Sequence, residues 1–177
     1  MTQKILLITP PYHCGILEVA GRWTPLNYVY LAGELRAAGH NPVIYDAMTL
    51  NHDLTQIIER VIAEEPDVVG LTAFTPSFPA AMQVLSAVKQ VLPQVTTILG
   101  GIHPTLIYQE VLAQYGAVID FIVRGEGEVT TVELANCLTA GGNPALIPGL
   151  VFLCDGEIVV TPKREQLSAP DLDKLQP

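Results

Sequence analysis

Short apolar runs rich in β-branched residues alternate along the chain with longer segments whose apolar positions recur at steps of three and four. Five of the short runs predict strands: KILLIT (4–9), NPVIYD (41–46), DVVGLT (67–72), TTILG (96–100) and DFIVR (120–124). The segments between them predict helices. Thr24-Pro25 has the form of an N-cap followed by proline at the first helical position, and Gly39 that of a left-handed stop. In the second helix Leu54, Ile57, Ile58, Val61 and Ile62 fall on one stripe. The third follows Thr75-Pro76, turns Leu85, Val88 and Leu92 inward and stops before Pro93. Thr105 is expected to cap a fourth that ends at Gly116. A fifth runs from about Glu128 to Leu138 and closes on Gly141-Gly142.

This alternation predicts an α/β fold, a doubly wound five-stranded parallel sheet in the flavodoxin-like order. The pattern then changes. GLVFLCDGEIVVTP is two apolar runs around Asp155-Gly156, the pair favoured in a two-residue type I′ turn, so a C-terminal β-hairpin is expected. Residues 1–162 form the expected domain. Residues 163–177 are aperiodic, mixed in charge and punctuated by Pro170 and Pro177, and are expected to be a linker toward a further domain.

With 177 residues, 49% of them hydrophobic and 15% charged, the chain supports one real core. Nine basic against 18 acidic residues give a net charge of -9, with Lys and Arg scattered singly, which disfavours a nucleic-acid partner. No apolar run approaches the ~20 residues of a membrane span, and the N-terminus is not a signal peptide. Cys14, Cys137 and Cys154 show no CxxC spacing, so a disulfide framework or a cysteine-held metal cluster is not expected. They suggest idle thiols in a cytoplasmic protein.

In an open parallel sheet, ligands bind beyond the carboxyl ends of the strands. The five loops there are TPPYHCG, DAMTLNHD, TAFTPSFP, GGIHPT and RGEGE. A dinucleotide site wants GxGxxG after the first strand, and a flavin mononucleotide site wants a phosphate loop of backbone N–H donors. Pro10-Pro11 disfavours both. A phosphoacceptor receiver wants Asp at the end of the third strand, where this chain has Thr72. Gly100 and Gly101 remove Cβ atoms at the end of the fourth strand, while Thr72 and Thr75 offer hydroxyls across the gap. The pattern describes a slot for a flat group.

The order LTAFT after the third strand, GG-x-HPT after the fourth and DFIVRGEGE around the fifth resembles the N-terminal cobalamin-binding domain of cobalamin-dependent radical S-adenosylmethionine enzymes. It is most similar to the branch that includes the anaerobic magnesium-protoporphyrin IX monomethyl ester cyclase. PLNYVYLAGELRAAGH with VIYD, PGLVFLCDGEIVVTP and the LDKLQP tail add to the resemblance, which covers nearly the whole chain. It implies that Thr72-Ala73-Phe74 matches the Ser-x-Leu element beside the cofactor's nucleotide tail, and that Gly100-Gly101 is the double glycine over which the dimethylbenzimidazole passes. The first loop departs from the family. Many cobalamin proteins carry Asp-x-His-x-x-Gly there, the His ligating cobalt and the Asp orienting it. Here PPYHCGI puts Pro11 at the Asp position and Ile16 at the Gly position.

The resemblance therefore implies cobalamin with its benzimidazole displaced and no histidine ligand. The expected cofactor-binding residues are Pro10, Pro11, Tyr12, His13, Thr72, Ala73, Phe74, Thr75, Gly100, Gly101, His103, Arg124, Gly125 and Glu126. His13, without a carboxylate partner, has the character of a solvated or packing residue more than of a cobalt ligand. His103 is expected to orient its turn or touch cofactor amides. Glu126 and Glu128 either pair with a helix dipole or bond cofactor amides or ribose. Arg124 is expected to pair with one of them, and Tyr12, Trp23 and Phe74 are candidates to pack on a corrin face. The [4Fe-4S] cluster and S-adenosylmethionine would belong to a partner barrel in the same polypeptide, since this chain lacks the cysteine trio for a cluster. Alone it is not expected to catalyse; the parent enzyme would perform methyl transfer or oxidative cyclisation. The alternative is a cofactor-free sensor or protein-interaction module on the same fold.

Overall fold

The computed structural model describes residues 2–12 and 25–177; the readings for His13, Cys14, Trp23 and Thr24 lie outside the described residues. Five parallel strands, β1 (Lys4–Ile8), β2 (Asn41–Tyr45), β3 (Val68–Thr72), β4 (Thr96–Gly100) and β5 (Phe121–Val123), lie in the order β2-β1-β3-β4-β5. Their central residues alternate between two cores. Leu6, Ile8, Val69, Leu71, Leu99 and Ile122 pack one way, and Ile5, Leu7, Val68, Ile98 and Val123 the other. Both faces are buried, which is why the runs are continuously apolar and not alternating.

The hairpin β6 (Leu150–Cys154) and β7 (Glu157–Val160) does more than end the domain. It pairs antiparallel with β5, Ile122 opposite Val151 and Val123 opposite Leu150, and extends the sheet to seven strands. Covering the otherwise open edge of β5 satisfies its ladder. Asp155 and Gly156 both have positive φ, 51° and 82°, as a type I′ turn requires.

Helices α1 (Leu26–Ala37) and α6 (Glu128–Ala140) cover one face; α2 (Leu54–Glu64), α3 (Phe78–Val91) and α5 (Tyr108–Tyr115) cover the other. Pro25 occupies the cap of α1 and not its first turn. Asp53 and Gln56 form a capping box on α2, which ends in the left-handed Glu65 in place of a glycine. Its inward stripe is narrow: Ile57 and Val61 are buried, whereas Ile62 is 49% exposed. The expected fourth helix is broken at Ile107 into α4 (Ile102–Leu106) and α5. Thr105 sits inside α4, where its hydroxyl donates to the Gly101 carbonyl at 2.7 Å, so it does not cap. Among the described residues no helix is long and apolar enough to cross a membrane.

The segment after β7 lies against α6 and α1. Arg164 donates to Thr130 Oγ1 at 2.7 Å and pairs with Glu133, and the Leu167 N–H donates to Glu126 at 2.9 Å. After α7 (Ala169–Leu172), the Gln176 N–H donates to Glu34 at 2.7 Å. Glycine in mid-helix costs ~1 kcal/mol relative to alanine, yet α1 carries Gly33. A Cβ there would overlap the Gln176 backbone. Gly33→Val should therefore detach the tail and speed tryptic cleavage at Lys174 several-fold by mass spectrometry, with the thermal midpoint little changed; an unchanged cleavage rate would show that the seat does not hold it.

Candidate functional site

The strand order reverses between β1 and β3, and ligands in such sheets bind at that switch point. A cleft of about 310 Å³ opens there on the α1/α6 side. Its floor is Ile5 and Leu7 of β1, Gly70 of β3, Ile98 of β4 and Val123 of β5. Asn27, Tyr28 and Leu31 of α1 form one wall, and the Gly125–Glu128 turn with Thr131 forms the other. Phe74 stands at the mouth, 60% exposed.

Tyr28 holds the two strand ends where they part. Its hydroxyl donates to the Ile8 carbonyl at 2.8 Å and accepts from the Thr72 N–H at 2.7 Å. Burial pushes the phenol up to about 12. Asn27 Nδ2 reaches Thr72 Oγ1 at 3.4 Å and tethers the same loop.

The paired glycines have different tasks. Gly101 has φ of 102°, and a Cβ there would stand 2.5 Å from the Ala73 carbonyl oxygen and 2.8 Å from its nitrogen. The β4 turn can meet the β3 loop only through glycine. That contact is locked by the Ala73 N–H on the Gly100 carbonyl at 2.9 Å and the His103 N–H on the Ala73 carbonyl at 3.3 Å. Gly100 is not crowded: its Cβ would find its nearest neighbours at 3.9 Å. What a side chain there would occupy is the cleft.

Of the residues expected from the sequence, Thr72, Phe74, Gly100, Gly101, Gly125 and Glu126 line the cleft. Ala73 is fully buried behind them. Thr75 Oγ1 and His103 Nδ1 pair at 3.1 Å, and the imidazole packs tilted against Phe78 with centroids 4.3 Å apart. Arg124 pairs with neither glutamate. It donates to the Thr161 carbonyl at 2.6 Å and lies over the Tyr108 ring at 5.5 Å, beside a second groove of about 390 Å³. The Tyr12 N–H donates to the Pro10 carbonyl at 2.7 Å. Pro11 lines a third pocket, with Asn51, His52 and Gln83 on the opposite face of the sheet. Sequence reasoning missed Gly70, Asn27, Tyr28, Leu31 and Thr131 as lining residues. Gly70 carried a usable signal, a glycine inside a strand run, and a Cβ there would stand 3.0 Å from Leu7 Cδ2. Tyr28 carried none, being one of two tyrosines on its helix. Among the described residues no group of three His, Cys, Asp or Glu could hold a metal.

Residues 12–135 match the family model of the B12 binding domain. The chain belongs to that family, and cobalamin is the cofactor that membership brings. Two anaerobic magnesium-protoporphyrin IX monomethyl ester cyclases align with 99% of this chain: that of Rubrivivax gelatinosus at 40% identity, over 32% of its own length, and that of Cereibacter sphaeroides at 36%, over 29%. The chain thus spans about a third of the length of these curated relatives. The radical S-adenosylmethionine methyltransferase TsrM from Kitasatospora setae, solved with cobalamin and a [4Fe-4S] cluster bound, shares the fold with a TM-score of 0.77. It is 21% identical, over 92% of this chain and 31% of that one.

Two expectations test this geometry. Gly101→Ala combines left-handed strain with overpacking, about 3 kcal/mol, and should lower the thermal midpoint by about 10 °C, whereas Gly100→Ala leaves it within about 2 °C. Equal shifts in differential scanning would refute the division of tasks. Tyr28 supplies the second. Its folded pKa of about 12 exceeds the unfolded 10.0, so the folded state holds the proton more tightly. The associated stability is complete below pH 10 and is lost as pH rises toward 12, up to about 3 kcal/mol. Tyr28→Phe leaves the Ile8 carbonyl and Thr72 N–H unpaired, at about 1–3 kcal/mol, and should flatten that alkaline slope in urea melts; an unaltered slope would assign it to other groups.

Proposed function

We propose that this chain is the cobalamin-holding domain of a radical S-adenosylmethionine enzyme, with the nucleotide tail of the cofactor in the cleft beneath Tyr28 and the corrin over its mouth. The observation that carries the reading is the cleft itself, whose floor is cleared of side chains at Gly70 and Gly100. A flat heterocycle fits against Ile5, Leu7, Ile98 and Val123. The rim supports the corrin. Leu26 (62% exposed), Phe74 (60%), Ile102 (50%) and Leu106 (71%) all sit at the carboxyl ends of the strands, an apolar collar that a large apolar ring would cover.

Thr72, Gly100, Gly101, Gly125 and Glu126 are the residues of the expected set that would touch the tail. Pro10, Pro11 and Tyr12 begin the loop under the corrin, and with no carboxylate two positions before His13, the reading favours displaced benzimidazole without a histidine ligand. When bound, cobalt supplies methyl-carrier or electron-transfer chemistry; the domain's own share is to position the ring, hold the tail and exclude water. The resemblance to the cyclases and to TsrM supports a barrel in the same polypeptide that holds a [4Fe-4S] cluster and S-adenosylmethionine, with residues 163–177 as the connection. Unpaired Cys137 and Cys154 suit a cytoplasmic setting.

Titration of the chain with hydroxocobalamin, followed by desalting, should leave a corrinoid spectrum typical of displaced benzimidazole, and His13→Ala should leave that spectrum unchanged. Gly100→Val should reduce retention at least tenfold while preserving the thermal midpoint. A wild-type chain that emerges colourless would instead favour a cofactor-free interaction module whose partner covers the apolar collar.

A further inference from the structure

The RGEGE turn holds two glutamates with different circumstances. Glu126 is engaged: its Oε2 accepts the Leu167 N–H at 2.9 Å. Glu128, in the first turn of α6, has its Oε2 buried with no hydrogen-bond partner. Three side-chain atoms among the described residues are in this condition, and Glu128 Oε2 is the one whose residue lines the cleft. Neither arginine nearby in sequence pairs with Glu128, although Arg124 Nε is itself buried without a partner. Arg124 donates to the Thr161 carbonyl and lies over Tyr108, and Arg164 is committed to Glu133, Thr130 and the Pro148 carbonyl.

A buried acceptor without a donor is costly to the folded state, and native structures supply the donor from a ligand or water when the chain does not. A carboxylate oxygen of this kind serves as an acceptor. The group it selects is a hydroxyl or N–H donor. A phosphate or second carboxylate would be repelled.

Resting on the cobalamin reading above, we infer that Glu128 is a specificity-determining residue that accepts a hydrogen bond from a sugar hydroxyl of the cofactor's nucleotide tail. The corrin amides are the other donors a cobalamin carries. The cleft favours the sugar: at about 310 Å³ it is too small for the macrocycle, and Glu128 lies on its wall and not on the apolar collar outside.

Cobinamide, which keeps the corrin amides and lacks the nucleotide, separates the two. Dissociation constants of hydroxocobalamin and of aquacobinamide would be measured by equilibrium dialysis for the wild-type 177-residue chain, Glu128→Ala and Glu128→Gln. Glu128→Ala should weaken cobalamin at least tenfold and cobinamide less than twofold. Glu128→Gln, which keeps an acceptor oxygen, should recover part of the cobalamin loss, and its unliganded thermal midpoint should stay within about 2 °C of wild type, because no partner is removed. Equal losses for both corrinoids would move the contact to a corrin amide and overturn the assignment, as would cobalamin binding unaffected by either variant. A wild-type chain that holds neither corrinoid overturns the cobalamin reading and this assignment with it.

Discussion

The site depends on one buried hydroxyl. Where β1 and β3 diverge, the sheet ladder stops and two backbone groups, the Ile8 carbonyl and the Thr72 N–H, are left at the edge of a cleft. Tyr28 satisfies both from α1, so the strands separate without stranding a polar group. Its ring becomes the cleft wall through the same placement. A helix that buried only aliphatic side chains at this position would leave the opening with unpaired donors and acceptors, and closing it would be the cheaper solution.

Against that fixed edge, the opposite loops are set by contact of main chain on main chain. Gly101 lets the β4 turn rest on Ala73, and the hydrogen bonds between residues 73, 100 and 103 make the two loops one rigid shelf. Gly100 then stays bare for another reason, because no atom of the chain needs its space. One of the paired glycines is therefore required by a main-chain contact, and the other borders the cleft. The left-handed φ separates them, and a double letter in the sequence does not.

The second wall is tied to the far end of the chain. Glu126 takes the Leu167 N–H, Arg164 bridges Thr130 and Glu133 on α6, and Gln176 reaches Glu34 on α1. The tail thus touches both helices that flank the cleft. In a longer polypeptide, a pull on this segment would be felt at Glu126, on the wall of the cleft. The same engagement of Glu126 leaves Glu128 as the carboxylate with an acceptor to offer.

Much of the architecture was legible from the chain itself. Apolar runs of strand length, separated by helical period and closed by Gly39, Gly141 and Asp155-Gly156, determine a doubly wound sheet with a terminal hairpin, because burial of both sheet faces and the turn chemistry are local constraints. The loops that border the cleft, with Thr72, Gly100-Gly101 and Gly125-Glu126, follow from the same order, since a parallel sheet presents its carboxyl-end loops together. Tertiary structure alone decided the rest. The joining of the hairpin to β5, the diversion of Arg124 to Thr161 and the places of Tyr28 and Gly70 depend on contacts across more than fifteen residues of sequence. Periodicity records which face of an element is buried. It carries no record of which distant atom completes a hydrogen bond, and it is those pairings that shape the cleft.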